Sequence, residues 1–168
     1  ERSVLRLLEP APRDVEVTLR FTILGGSQWR SVGISLDAPT GDSGVPPAAG
    51  DTEVSLYASA FAGGPKVQAA VRRGAEWEYP AEAASARPVK VGREHTLRVQ
   101  ARDTLVNVFF DGELVIAWRS PVPRRDGAVQ ITTFDALAVF HGVSVAPLSA
   151  DAPLKEPAAG SGPATTPE

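Results

Sequence analysis

Residues 95–118 read HTLRVQARDTLVNVFFDGELVIAW, and this stretch decides the fold. Three short apolar runs are joined by two tight reversals, and the second reversal is Asp111-Gly112. A two-residue Asp-Gly loop supplies the positive φ angles of a type I′ turn, whose twist matches that of the flanking strands. The stretch therefore reads as an antiparallel meander.

The same grammar extends outward in both directions. From Asp14 to Leu24, Val15, Val17, Leu19, Phe21 and Ile23 alternate with Glu16, Thr18, Arg20 and Thr22, the period-2 pattern of a half-buried strand. Further strands are expected at Trp29 to Asp37, Thr52 to Phe61, Lys66 to Arg72, Glu94 to Ala101, Thr104 to Phe110, Glu113 to Trp118, Gly127 to Phe134 and Leu137 to Ala146, with a shorter one at Ser3 to Leu8. Gly25-Gly26 and Gly63-Gly64-Pro65 punctuate two connections. The long gaps are Ala38 to Asp51, a surface excursion by composition, and Arg73 to Arg93, where Pro80 and Pro88 leave room for one helical turn near Ala81 to Ala86.

No segment carries an apolar stripe at helical spacing over ten or more residues, so crossover helices and a parallel sheet are not expected. About ten antiparallel strands in one domain pack as two sheets or close as a barrel. The expectation is an all-β, two-sheet antiparallel sandwich spanning residues 1–148. Residues 149–168, SADAPLKEPAAGSGPATTPE, are poor in large apolar groups and rich in Pro, and read as a Pro/Ala-rich linker or disordered tail.

Composition narrows the function classes. At 168 residues a single domain buries roughly 68–70% of its unfolded surface and stands without staples. There is no Cys, which removes disulfides, thiolate nucleophiles and Cys metal sites. Seventeen basic and 20 acidic residues give a net charge of -3 with the signs interspersed, so no basic stripe exists to track phosphates and a nucleic-acid partner is not expected. The doublets Arg72-Arg73 and Arg124-Arg125 read chiefly as solvated loop charges. No apolar run approaches the ~20 residues a membrane helix needs, and membrane insertion is not expected. The chain starts at Glu1 and contains no Met, which reads as a processed product or an excised piece. A monomer is expected, with an extracytoplasmic or cell-surface setting favoured.

Two segments carry a family resemblance. Glu94-His95-Thr96-Leu97-Arg98-Val99, followed by Val106-Asn107-Val108-Phe109-Phe110-Asp111-Gly112-Glu113-Leu114-Val115, resembles a run found in concanavalin A-like lectin/glucanase jelly rolls, among them laminin-G-like modules and 3-keto-disaccharide hydrolase-like domains. Gly127 to Ile131 and Val139 to Val145 are similar to the last strands that close such sandwiches. The resemblance covers residues 14 to 146 and implies a curved two-sheet sandwich whose concave face carries a carbohydrate site. Its motifs are structural, and fold alone does not fix function.

The chemistry of the residues points to binding more than to catalysis. Retaining glucanases of this class set carboxylates at alternate positions of one strand, so that nucleophile and acid sit about 5–5.5 Å apart, and this chain lacks that motif. Asp14-x-Glu16 has no third carboxylate, and Glu76-Trp77-Glu78 lies in a long loop. His95 and His141 stand apart without a Ser or Asp constellation, and His141 reads as a hydrogen-bonded histidine in or beside the core. No metal-ligand spacing or nucleotide motif appears, so neither a metal nor a cofactor is expected.

Aromatic parity is more informative. Val54, Leu56, Ala58 and Ala60 form one face of a strand, turning Ser55, Tyr57 and Ser59 to the other. Trp29 shares the outward parity of Ser31 and Ser35. Aromatic faces with nearby amide, hydroxyl and guanidinium groups suit a sugar, whose C–H faces stack while its hydroxyls need partners. The candidate ligand-binding residues are Trp29, Tyr57 and Trp77 as stacking platforms, and Gln68, Arg72 and Asn107 as hydrogen-bonding groups, with Tyr79 beside Trp77 on the rim. The expected function is a non-catalytic carbohydrate-binding or adhesion-type module of a larger protein. The alternatives are a protein-interaction module docking a neighbouring domain and a hydrolase of the 3-keto-disaccharide type.

Overall fold

The computed structural model describes residues 1–39 and 47–159 of the 168. Among the described residues twelve strands form two sheets. The chain runs β1 (Arg2–Leu8), β2 (Val15–Gly25), β3 (Ser31–Ala38), β4 (Thr52–Ser59), β5 (Lys66–Arg73), β6 (Glu76–Glu78), β7 (Ala84–Ala86), β8 (Glu94–Arg102), β9 (Leu105–Phe110), β10 (Glu113–Arg119), β11 (Ala128–Phe134) and β12 (Leu137–Pro147). A seven-stranded sheet has the order β1-β11-β3-β4-β5-β6, with β7 also on β5, and a five-stranded sheet has the order β10-β9-β8-β2-β12. Every pairing is antiparallel.

The quoted stretch is the meander β8-β9-β10. At its second reversal Asp111 and Gly112 have φ of 49° and 86°, the two positive values the loop demands. The Asp111 carboxylate then reaches back to β8. It accepts the Thr96 backbone N–H at 2.9 Å and lies 2.7 Å from His95 Nδ1. His95 Nε2 accepts the Lys90 N–H at 3.0 Å, which leaves the proton on Nδ1 for Asp111. The buried histidine, read from sequence as lacking an Asp neighbour, is thus a staple between a turn and the 87–93 connection.

The core forms where the inward parities of the two sheets meet. Val15, Val17, Leu19, Phe21 and Ile23 of β2 have no exposed surface, nor do Val32, Ile34 and Leu36 of β3 opposite them. Leu56, Val67, Leu97 and Val108 complete the same cluster, and Trp118 is buried beside them. Truncating Phe21 to Ala would cost about 3–5 kcal/mol through lost transfer energy and a residual cavity.

The structure refines or departs from the sequence reading in three places. In the long 73–93 connection the helical turn is a three-residue 3-10 turn, Ala81–Ala83, and the short strands β6 and β7 flank it on β5, too brief to show periodicity. His141 lies exposed on the edge strand β12, its Nε2 2.8 Å from Thr22 Oγ1. A bulge between Phe140 and Gly142 breaks the period there, so that Val139 faces Thr22 while Val143 faces Leu19. The Arg doublets are not simply solvated. Arg124 makes a buried two-pronged pair with Asp37, at 2.7 and 3.0 Å, and Arg72 is buried on β5.

Residues 149–156 cross the outward side of the five-stranded sheet. Arg102 donates to the carbonyls of Ser149 and Ala152 at 2.6 and 2.9 Å, Asn107 exchanges two bonds with the Lys155 backbone at 2.7 and 2.8 Å, and Arg119 pairs with Glu156. This part of the expected tail is held by polar side chains reaching its backbone, which compensates for its lack of apolar groups. Residues 160–168 of that tail, and residues 40–46 of the expected surface excursion, lie outside the described residues.

Candidate functional site: an aromatic groove on the seven-stranded sheet

With its inward parity spent on the core, the seven-stranded sheet turns Ser31, Gly33, Ser55, Tyr57, Ser59, Ala70 and Thr132 outward, and these form the floor of a groove of about 860 Å³. Aromatic side chains stand around it. Trp29, just before β3, stacks on Phe61, just after β4, with ring centroids 4.8 Å apart. Trp77 of β6 and the neighbouring Tyr79 form a second stack at 6.5 Å, and Phe134, Arg2 and Lys66 also line the groove.

Each wall has an identifiable support. The exposed Asp135 carboxylate accepts the backbone N–H of Ser27 at 3.1 Å, of Gln28, and of Trp29 at 2.8 Å, plus the Ser27 hydroxyl at 2.6 Å. The Ser27 hydroxyl and these backbone donors hold its carboxyl well below the usual range. The Trp29 carbonyl accepts the hydroxyls of Ser31 at 3.3 Å and Ser59 at 2.5 Å. The loop that presents the Trp29 ring is therefore fixed from both sides.

Tyr57 occupies the middle of the floor because its cross-strand partner is Gly33. A Cβ at Gly33 would fall 2.7 Å from both the Tyr57 Cβ and the Leu56 carbonyl oxygen. Burial, followed by the nearby Tyr79, pushes the Tyr57 hydroxyl up to about 12. It is a protonated donor throughout the neutral range.

Beneath Trp77 lies a charged cluster. Glu53, 1% exposed, receives Arg72 at 2.7 Å and is also paired with Arg2, whose guanidinium additionally donates to Ser35 at 3.2 Å. Burial pushes the Glu53 carboxyl up, but Arg2, the Ser35 hydroxyl and Arg72 outweigh it and the net direction is down. The guanidinium carbons of Arg2 and Arg72 sit 5.5 and 5.8 Å from the Trp77 ring centroid, within cation–π range.

The six candidate residues divide cleanly. Trp29, Tyr57 and Trp77 converge on the groove. Gln68 and Arg72 lie on the adjoining strand but are buried and engaged: Gln68 Nε2 donates to the Pro80 and Ala83 carbonyls at 3.0 and 3.3 Å, and Arg72 serves Glu53. They brace the wall and do not face the groove. Asn107 belongs to the other sheet, where its amide holds Lys155. Parity placed it outward correctly, but outward on the opposite side of the sandwich.

Sequence reading passed over Phe61, Gly33, Lys66 and Arg2. Phe61 shares the parity of Ser55, Tyr57 and Ser59, and Gly33 that of Ser31 and Ser35, so both carried a usable signal. Arg2 carried none, since it reaches Glu53 only through the non-sequential order β1-β11-β3-β4. None of the residues lining the groove is Asp or Glu. Among the described residues no group of three or more His, Asp or Glu side chains is placed to hold a metal ion, and no helix is long and apolar enough to cross a membrane.

Comparison with known proteins locates this architecture. The carbohydrate-binding module CBM66 from Bacillus subtilis superposes with a TM-score of 0.65 over 85% of this chain and 76% of its own, at 17% identity. A Bacillus subtilis protein of unknown function with a galectin-like fold gives 0.69 over 87% and 77%, at 12% identity. The Caenorhabditis elegans galectin LEC-6 gives 0.62 over 86% and 89%, at 14% identity. The chain has a galectin-like jelly-roll sandwich. A scan against family models and a search of curated proteins both return no match, so the laminin-G-like and 3-keto-disaccharide hydrolase-like assignments gain no support, and at these identities the likeness is one of fold.

Proposed function

We propose that this chain is a non-catalytic carbohydrate-binding module of a larger protein, taking a glycan in the groove of the seven-stranded sheet. The observation that carries the reading is the pairing of aromatic walls, Trp29 on Phe61 and Trp77 by Tyr79, with a floor that carries the hydroxyls of Ser55, Tyr57 and Thr132. Sugar rings stack their C–H faces on aromatics and present hydroxyls at their edges, and this groove offers both kinds of partner within one preformed surface. The names of two structural neighbours, a carbohydrate-binding module and a galectin, agree with it.

Hydrolysis has less support. A glycosidase needs two carboxylates flanking the scissile bond, while the groove lining has none and nearby Glu53 is bound by two guanidiniums. A protein-interaction reading draws on a different face, where Leu5 on β1 and Phe140 and Val143 on β12 are 56%, 38% and 44% exposed. A glycan array followed by calorimetry tests the main reading. Soluble saccharide should bind the wild type, and Trp29→Ala or Tyr57→Ala should weaken it about tenfold or more, as loss of a central aromatic anchor does. No binding across the array, or full binding by both variants, refutes it.

A further inference from the structure

The charges around the groove do not balance. Arg2 and Arg72 share the single carboxylate of Glu53. Lys66 has no ion-pair partner among the described residues; its ammonium donates to the neutral Gln68 Oε1 at 3.3 Å. Arg2, Arg72 and Lys66 thus stand against Glu53 and the Asp135 carboxylate that anchors the Trp29 loop, beside a groove whose lining contains Arg2 and Lys66 but no acid. In a chain of net charge -3 this is a local reversal of sign.

Lys66 is also placed and not merely present. Gln68 is 2% exposed and its Nε2 is tied to the Pro80 and Ala83 carbonyls, which fixes Oε1 as the acceptor that holds the ammonium. Lys66 stands opposite Ser59 in the β4-β5 register, and Ser59 in turn holds the Trp29 carbonyl. A neutral acceptor orients an ammonium without neutralising it, so the charge remains free to attract an anion. Lys66 lines the same groove as Trp29, Phe61 and Tyr79, so its charge shares one surface with the stacking platforms.

We propose that the groove selects an acidic saccharide, its carboxylate or sulfate taken by Lys66 while its ring stacks on Trp29. This rests on the glycan reading above and adds the ligand's charge to it. Lys66 is half-buried, so the attraction is screened in part and salt weakens it further.

Calorimetry with matched pairs tests this: oligogalacturonate against its methyl ester, and a sulfated oligosaccharide against its desulfated form. At least one acidic partner should bind about tenfold more tightly than its neutral counterpart at low salt, the scale of one charge-assisted contact, and the ratio should shrink as salt rises. Lys66→Met should bring that ratio close to one, whereas Lys66→Arg, and Lys90→Met away from the groove, should preserve it. Which pair shows the preference identifies carboxylate or sulfate as the recognised group. Equal binding of acid and neutral forms, or a ratio unchanged in Lys66→Met, overturns the proposal and leaves the glycan reading standing. Failure of every saccharide to bind overturns both.

Discussion

Tyr57 and Gly33 form the smallest unit of the account. A tyrosine can lie on the floor of the groove only because the residue across from it on β3 brings no Cβ. Gly33→Ala forces a contact far inside van der Waals distance with the Leu56 carbonyl and the Tyr57 Cβ, and we expect a loss of about 1–3 kcal/mol, as overpacking typically costs, with weaker saccharide binding. Chemical denaturation and titration calorimetry of that variant check both. The Tyr57 hydroxyl has a folded-state value raised from 10.0 to about 12, so its contribution to stability is complete below pH 10 and is lost as pH climbs toward 12. Tyrosinate absorbance should therefore show a phase that appears only as pH approaches about 12, and Tyr57→Phe should abolish it.

Elements were legible in proportion to their length and regularity. The eleven-residue β2 and the β8-β9-β10 meander declare themselves by strict alternation and by Asp111-Gly112, because a two-residue period repeated four or five times is hard to mistake. β6 and β7, three residues each, have no period to read, and they are what bring Trp77 and the 80–83 turn onto β5. The bulge in β12 inverted the parity on which His141 was placed. Parity gives the face but not the depth of cover, so it points Gln68 and Arg72 toward a ligand although the 76–83 segment covers both. The Trp29 loop makes an element-level prediction. Asp135→Ala removes the acceptor for three backbone N–H groups and should weaken saccharide binding and broaden Trp29 fluorescence while leaving the melting temperature almost unchanged. Because the Asp135 carboxyl is held low, the wild-type loop keeps its anchor through the ordinary carboxylate range and loses it only in stronger acid.

At the scale of the molecule, the two sheets have different outward lives. Among the described residues, the five-stranded sheet is crossed by residues 149–156, whereas the seven-stranded sheet is left open with its aromatics around a groove. Ending the chain at Leu148 removes the bonds to Arg102, Asn107 and Arg119. We expect such a chain to remain folded, to lose about 1–3 kcal/mol for a few partly exposed hydrogen bonds, and to bind saccharide as before, which denaturation and calorimetry together would show. The sandwich itself followed from sequence because alternation and turn chemistry agree along most of the chain. Which face stays open did not, since it depends on a Pro-rich segment whose hold comes from side chains of three separate strands.

Ligand is expected to meet the chain at the aromatic groove, and every functional prediction above depends on it. Backbone and indole chemical-shift mapping with a saccharide identified on the array tests it most directly. Perturbations should concentrate at Trp29, Tyr57, Ser59, Phe61 and Trp77, with Asn107 and its neighbours on the five-stranded sheet silent. Perturbations centred on β8 and β9, or none at the Trp29 and Trp77 indoles, would contradict it.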